Sequence, residues 1–221
     1  MMKTLLVTAC TLLAVAGFAV LPFLVMDAPL QYDLYFNQKI FYYHVPAAIT
    51  MFVSVYVCGL ASIGYLLRRK PAWDDTALAA GDLVLVFGGI MLLTGPIWGK
   101  VAWGVYWVWD ARLTSSLLLW MIFVAYSLIR RYGGPGSERL AAGLAVFGMV
   151  DVPLVYFAVN FWRTQHPTNS VIPSLRGGMR VAFLVGVLSY LAVYIVLLVA
   201  RRGARQAERR LADLAEEIET A

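Results

Sequence analysis

Six long apolar runs constrain the fold of this chain more than any other feature. They cover about residues 4–26, 44–67, 77–98, 113–129, 140–161 and 181–200. We expect the third to end by Trp98, with Thr94-Gly-Pro96 as its exit turn. Crossing a hydrocarbon core of ~30 Å takes about 17–25 apolar residues at ~1.5 Å of helix per residue. Only 14% of the residues are charged, against about 25% in an average soluble domain. We therefore predict an all-α integral membrane protein with six transmembrane helices.

The runs also predict how the chain is divided. We expect a six-helix membrane domain over residues 1–202 and a tail over residues 203–221. The tail has the pattern of an amphipathic helix, with Leu211, Leu214, Ala215 and Ile218 on one stripe. Its first half is basic and suits anionic headgroups. We interpret the tail as a solvated appendage rather than a docking element for a partner.

The first run has two interpretations. Ala14-Val-Ala16 resembles the cleavage site of a signal peptide. The apolar run continues well past this point, however, so we expect a retained transmembrane helix.

The distribution of basic residues predicts the orientation, because cytoplasmic segments are enriched in lysine and arginine. With a cytoplasmic N-terminus, the inside segments hold 12 of the 18 basic residues. These are Lys3, Arg68, Arg69, Lys70, Arg130, Arg131, Arg139, Arg201, Arg202, Arg205, Arg209 and Arg210. Both termini are then cytoplasmic, and the segment between the third and fourth helices faces the periplasm of a Gram-negative cell.

That outward segment, residues 98–116, is rich in tryptophan. It contains Trp98, Trp103, Gly104, Tyr106, Trp107, Trp109, Asp110 and Arg112. Tryptophan combines a flat apolar ring with one N–H donor, and glycine lets the backbone approach a ligand closely. The composition fits a platform for a flat molecule. It fits an interfacial loop on lipid headgroups equally well.

His44 and His166 are the only histidines in the chain, and the topology places both on the outward face. A single histidine near a membrane surface is usually an ordinary polar residue. Two neutral imidazoles, however, suit a haem iron, which has two axial positions. Zinc or copper normally takes three or four protein ligands. Cys10 and Cys58 lie inside apolar runs, which indicates small buried side chains rather than ligands.

Haem propionates require cations. The outward candidates are Lys39, Lys100, Arg112 and Arg163. Arg112 has an alternative role in an ion pair with Asp110, which would orient the loop.

Other functions are less well supported. The basic residues lie between apolar runs, so they do not indicate nucleic-acid binding. No phosphate-binding loop of the G-x-x-x-x-G-K-[ST] type is present, so any ATP-driven step belongs to another subunit. Asp151 lies in the middle of the fifth run and is either functional or a structural partner for a neighbouring helix. It also supports an alternative function as a permease subunit. The sequence shows no evident catalytic acid, base or nucleophile.

The segment from Trp103 to Thr114 reads W-G-x-x-W-x-W-D-A-R-L-T. It resembles the signature of the WWD haem-handling family of cytochrome c maturation, and most of all its haem exporter protein C (CcmC) branch. Further matches are His44-Val-Pro-Ala-Ala48, Asp151-Val-Pro-Leu-Val-Tyr156 and Trp162-Arg-Thr-Gln-His166. The resemblance runs from about residue 30 to 200.

The resemblance implies a six-helix protein of the bacterial inner membrane that holds haem b as cargo at its periplasmic surface. It implies transfer of the haem to the chaperone CcmE, within an ABC complex that includes CcmA, CcmB and CcmD. His44 and His166 would be the axial ligands, and the Trp-rich segment the porphyrin platform. An ABC permease that moves haem across the membrane is the alternative. The chain departs from the pattern at Lys39, where arginine is expected, and at Pro167, where relatives often have glutamine.

Overall fold

The computed structural model describes residues 2–30, 35–168 and 171–220 of the chain. The described residues form helices and contain no strand. The helices are α1 Met2–Asp27, a 3₁₀ helix Tyr35–Ile40, α2 Phe41–Arg68, α3 Pro71–Trp103, α4 Ala111–Tyr132, α5 Ser137–Phe161, α6 Val171–Ser174 and α7 Gly177–Thr220. Six of them (α1–α5 and α7) are long and apolar enough to cross a membrane. The predicted all-α fold with six membrane-spanning helices is confirmed.

The third helix is longer than the sequence predicted. We expected it to end by Trp98, with an exit turn at Thr94-Gly-Pro96, and this expectation is wrong. The helix α3 continues through Pro96 and ends at Trp103. Gly104 caps it, with a φ of +79° and an N–H that donates to the Lys100 carbonyl at 3.1 Å. A proline costs the helix one N–H donor, but an apolar environment favours keeping the other backbone hydrogen bonds. The first part of the Trp-rich segment is therefore helical.

The last span and the tail form one continuous helix, α7. The Leu211, Leu214 and Ile218 side chains in this last part of α7 are exposed. At ~1.5 Å per residue, a straight helix carries this stripe well beyond Arg201.

Small residues let the helices pack closely, as is usual between membrane helices. A Cβ atom on Gly17 of α1 would lie 2.0 Å from the hydroxyl of Ser189 in α7, and one on Gly81 of α3 would lie 2.5 Å from the Tyr126 ring in α4. Helix α2 is central and packs on α3, α5 and α7. Both cysteines are buried and free.

Charged side chains join the helices at one end of the bundle. Asp74 at the start of α3 pairs with Arg130 of α4 at 2.6 Å. Asp82 pairs with Arg201 of α7 at 2.7 Å, and Asp75 pairs with Arg209. The opposite end, where α2 and α4 begin and α3 and α5 finish, holds the candidate site.

Candidate functional site

His44 and His166 line the same cavity, although they lie far apart in the sequence. The cavity has a volume of about 400 Å³, within the usual range of ligand sites. His44 lies in the first turn of α2, and His166 lies in the segment after α5. Both histidines are half-buried. The fold therefore brings together the two residues that the sequence singled out as possible axial ligands.

The hydrogen bonds of the two imidazoles leave one ring nitrogen of each available. His44 Nδ1 lies 2.9 Å from the Thr94 hydroxyl, and His166 Nδ1 lies 2.9 Å from the Pro167 carbonyl. A carbonyl only accepts, so His166 Nδ1 carries the hydrogen and Nε2 keeps its lone pair. Burial, together with the charge of Arg112, lowers the pKa of His166 from 6.5 to about 3. The His166 ring is thus neutral at physiological pH, as metal ligation requires.

Three of the four tryptophans in the segment line the cavity. Trp98 and Trp103 pack edge to face, with ring centroids 5.2 Å apart. Trp107 also lines the cavity, and its buried indole N–H has no hydrogen-bond partner among the described residues. Trp109 packs edge to face on Trp107 but is 75% exposed and does not line the cavity. Tyr106 is 61% exposed and likewise lies outside it.

Of the four cations proposed for propionates, Arg112 lines the cavity. Its Nη1 atom lies 3.5 Å from the Tyr156 carbonyl. Lys100 lies over the Tyr106 ring, at 5.4 Å from its centroid, and donates to the Gly104 carbonyl. Arg163 is exposed outside the cavity.

Lys39 is placed at the end of α1. Its ammonium donates to the carbonyls of Val25 at 2.5 Å, Ala28 at 2.6 Å and Met26 at 3.3 Å. A lysine has three donors, and here all three satisfy carbonyls at a helix C-terminus, where a positive charge is favourable. In this structure Lys39 is a helix cap outside the cavity lining.

Asp110 connects the Trp-rich segment to the segment that carries His166. One carboxylate oxygen caps α4 by accepting the Leu113 N–H at 2.8 Å, and the other accepts the Gln165 N–H at 2.9 Å. Asp110 is therefore a structural residue of the site.

The residues that line the cavity fit haem as cargo. Two imidazoles can meet the two axial positions of the iron, the indoles offer apolar surfaces to a porphyrin, and Arg112 offers a guanidinium to a propionate. The unpartnered Trp107 N–H adds one donor to this set. The described residues hold no cluster of three or more histidine, cysteine, aspartate or glutamate side chains that could bind a bare metal ion.

Comparison with known proteins identifies the family. The family described as "Heme exporter protein C" (CcmC) matches residues 1–216. The chain belongs to the CcmC family. A relative named "Heme exporter protein C" from Bradyrhizobium diazoefficiens is 37% identical over 175 residues, which are 78% of this chain and 66% of the relative. Another with that name, from Escherichia coli K12, is 36% identical over 166 residues, 69% of this chain and 65% of the relative.

Plants also contain relatives of this CcmC-family chain. A "Putative cytochrome c biosynthesis ccmC-like mitochondrial protein" of Arabidopsis thaliana is 31% identical over 170 residues, 77% of this chain. The matched region spans 64% of that plant relative and 65–66% of the two bacterial relatives, so less than two thirds of the relatives' length is represented.

Sequence reasoning missed several residues of the candidate site. Thr94 and Gly95 of α3 contact the His44 ring, but we interpreted them as an exit turn. A hydroxyl inside an apolar run was the available signal, because such a group needs a partner. The Pro167 carbonyl and the Gln165 N–H are backbone groups, and no sequence pattern indicated their roles.

Proposed function

We propose that this CcmC-family chain holds haem b between His44 and His166 and passes it to a CcmE-like chaperone during cytochrome c maturation. The observation that carries the proposal is the shared cavity: the only two histidines of the chain line it together with three tryptophans and Arg112. The names of the relatives, which refer to haem export and cytochrome c biosynthesis, agree with this function.

The proposed mechanism is one of positioning. His44 and His166 would each present Nε2 to the iron, and Trp98, Trp103 and Trp107 would exclude water from the porphyrin. Arg112 would pair with a propionate. The haem itself supplies a vinyl group, to which the chaperone attaches. Because the chain holds that group in a fixed orientation, the gain in rate would come from proximity rather than from acid–base catalysis.

We place the site on the periplasmic face of the bacterial inner membrane, with both termini in the cytoplasm. The basic residues expected inside include Arg130, Arg201 and Arg209, and these lie at the end of the bundle opposite the cavity. This arrangement agrees with the enrichment of basic residues on the cytoplasmic side. CcmA, CcmB and CcmD are the proposed partners, with the ATPase on the cytoplasmic side.

An optical spectrum of the purified protein loaded with haem tests the ligands. We expect a low-spin, six-coordinate spectrum that changes when either His44→Ala or His166→Ala removes one imidazole. Thr76→Ala, at the opposite end of α3, is the matched control and should keep the spectrum. Unchanged spectra in both histidine variants would eliminate the proposed ligand pair.

Handover is tested separately. The haem-loaded protein is mixed with the apo form of a CcmE-like chaperone, and covalent haem on the chaperone is measured after denaturation. We expect labelling with the wild-type chain and little with either histidine variant. Equal labelling by all three proteins would argue against presentation by this site.

A permease function is the second candidate, and Asp151 favours it. This residue lies in the middle of α5, and its Oδ2 atom is buried without a hydrogen-bond partner among the described residues. Ionisable groups inside membrane helices often mark transport paths. Liposomes that contain the chain and its ATPase partner should then show ATP-dependent haem flux that Asp151→Asn abolishes. Handover without flux would support presentation instead.

A further inference from the structure

The hydroxyl of Thr94 faces His44 from a different helix. It lies 2.7 Å from the Ile90 carbonyl and 2.9 Å from His44 Nδ1. A hydroxyl has one hydrogen, and the carbonyl can only accept, so the hydrogen points to Ile90. Towards His44, therefore, Thr94 acts as an acceptor. This geometry assigns the imidazole hydrogen to Nδ1 and leaves the lone pair on Nε2.

The next residue fixes the position of the same ring. A Cβ atom on Gly95 would lie 3.2 Å from His44 Cε1, which is tighter than most Cβ contacts, so the ring would have to shift by a few tenths of an ångström. The absence of a side chain at this position lets the imidazole lie directly against α3. Both contacts exist because α3 remains helical through Thr94 and Gly95.

The two histidines differ in what holds them. His166 Nδ1 lies 2.9 Å from the carbonyl of the next residue, Pro167, so its tautomer is set by the backbone. His44 Nδ1 lies against a side-chain hydroxyl 50 positions away, and the Met91 carbonyl is a backbone neighbour of the same ring. A substitution at Thr94 can therefore remove the hydroxyl that faces His44 Nδ1 while leaving the acceptor of His166 in place.

We propose that Thr94 is a positioning residue that selects the Nδ1–H tautomer of His44 and aims Nε2 into the cavity. The inference rests on the proposed function, in which Nε2 binds iron and must therefore carry no hydrogen. The hydrogen bond of one ring nitrogen decides which nitrogen ligates, and loss of such a supporting contact typically weakens metal binding about 10–100-fold. Free neutral imidazole of histidine prefers hydrogen on Nε2, so Thr94 reverses the intrinsic preference.

Nitrogen NMR of the haem-free protein labelled with ¹⁵N-histidine tests the tautomer directly. The chain has two histidines, so the spectrum contains two imidazoles, which the variants His44→Ala and His166→Ala assign. In the wild type we expect both rings as Nδ1–H. In Thr94→Val the His44 signals should move towards those of the Nε2–H tautomer, while those of His166 stay in place.

Three further variants control the result. Thr94→Ser keeps the hydroxyl and should preserve the Nδ1–H signals, whereas Thr94→Ala, a second variant without a hydroxyl, should reproduce the shift. Thr76 makes the same kind of bond within α3, to the Ala72 carbonyl at 2.9 Å, at the opposite end of the helix. Thr76→Val should leave both histidines unchanged. Wild-type His44 signals in Thr94→Val and Thr94→Ala would overturn the proposal.

Haem affinity separates this inference from the proposed function. We expect Thr94→Val to bind haem about tenfold more weakly than the wild type and Thr94→Ser to bind it nearly as well. A tautomer shift without haem binding by any form would overturn the proposed function and leave Nδ1 selection by Thr94 intact. Unchanged affinity and tautomer in Thr94→Val, with normal haem binding by the wild type, would overturn the role of Thr94 alone.

Discussion

Asp110 accepts a hydrogen bond from the backbone N–H of Gln165 at 2.9 Å, and this contact ties the segment of His166 to the start of α4. The second carboxylate oxygen caps α4 through the Leu113 N–H at 2.8 Å. One side chain thus fixes the Trp-rich segment and the neighbour of a proposed iron ligand. The position of His166 relative to Trp107 depends on this bridge.

The first prediction concerns this bridge. In Asp110→Asn the amide can accept only through its oxygen, so one of the two N–H groups loses its partner. A hydrogen bond to a charged group contributes about 1.5–3 kcal/mol. We expect faster amide hydrogen exchange in residues 162–168 and weaker haem binding, with the helix content unchanged. Asp213→Asn in the exposed tail is the control, and equal exchange in both variants would contradict the bridging role.

The second prediction concerns the unpartnered indole of Trp107. Trp107→Phe removes a buried N–H that has no partner among the described residues, so the melting temperature of the haem-free protein should not fall. Haem affinity should fall about tenfold if that N–H binds the cargo. In the contrasting variant Trp120→Phe, the lost indole N–H donates to the Leu85 carbonyl at 3.2 Å, so the melting temperature should drop. A larger drop in melting temperature for Trp107→Phe than for Trp120→Phe would contradict the absence of a partner for the Trp107 N–H.

The third prediction concerns pH. Burial and the charge of Arg112 lower the pKa of His166 from 6.5 to about 3. Above pH 6.5 the His166 ring is neutral in both the folded and the unfolded chain. Between pH 6.5 and about pH 3, His166 binds a proton in the unfolded chain but not in the folded chain. Lowering the pH through this range therefore favours opening of the site. Proton NMR of the haem-free protein should show that His166 is still neutral well below pH 6.5. A titration midpoint near pH 6.5 would contradict the buried environment of this ring.

The same linkage gives a second readout of the pH effect. His166→Gln cannot take up the proton, so its unfolding free energy should depend less on pH below 6.5. A pH dependence identical to that of the wild type would show that His166 does not contribute.

The fourth prediction concerns the packing of α7 beside His44. A Cβ atom on Gly186 would lie 2.9 Å from the backbone carbonyl of Tyr42, in the first turn of α2. Backbone cannot move aside as a flexible side chain can, so we expect Gly186→Ala to destabilise the bundle by about 1–3 kcal/mol. A Cβ atom on Gly89 meets nothing within 4 Å, and Gly89→Ala should be neutral or slightly stabilising. Thermal melting in detergent compares the two variants.

Parts of the site were predictable because they depend on residue type alone. His44, His166 and Arg112 were predicted to lie on one face, and all three line the cavity. We grouped Trp109 and Tyr106 with them because they are close in sequence. Both lie outside the cavity, since α3 ends before Gly104 and these two side chains are exposed. Lys39 has a suitable charge for a propionate, but its ammonium instead donates to three carbonyls at the end of α1.

The sequence by itself determined the six spans, the distribution of basic residues and the two histidines proposed as iron ligands. The apolar length of a span and the chemistry of an imidazole are local properties that the order of residues states directly. Tertiary structure alone decided that α3 continues past Pro96, that Thr94 meets His44 and that Asp110 holds Gln165. These relationships depend on how helices distant in sequence pack against each other, and that packing is the sum of many small contacts that no single segment encodes.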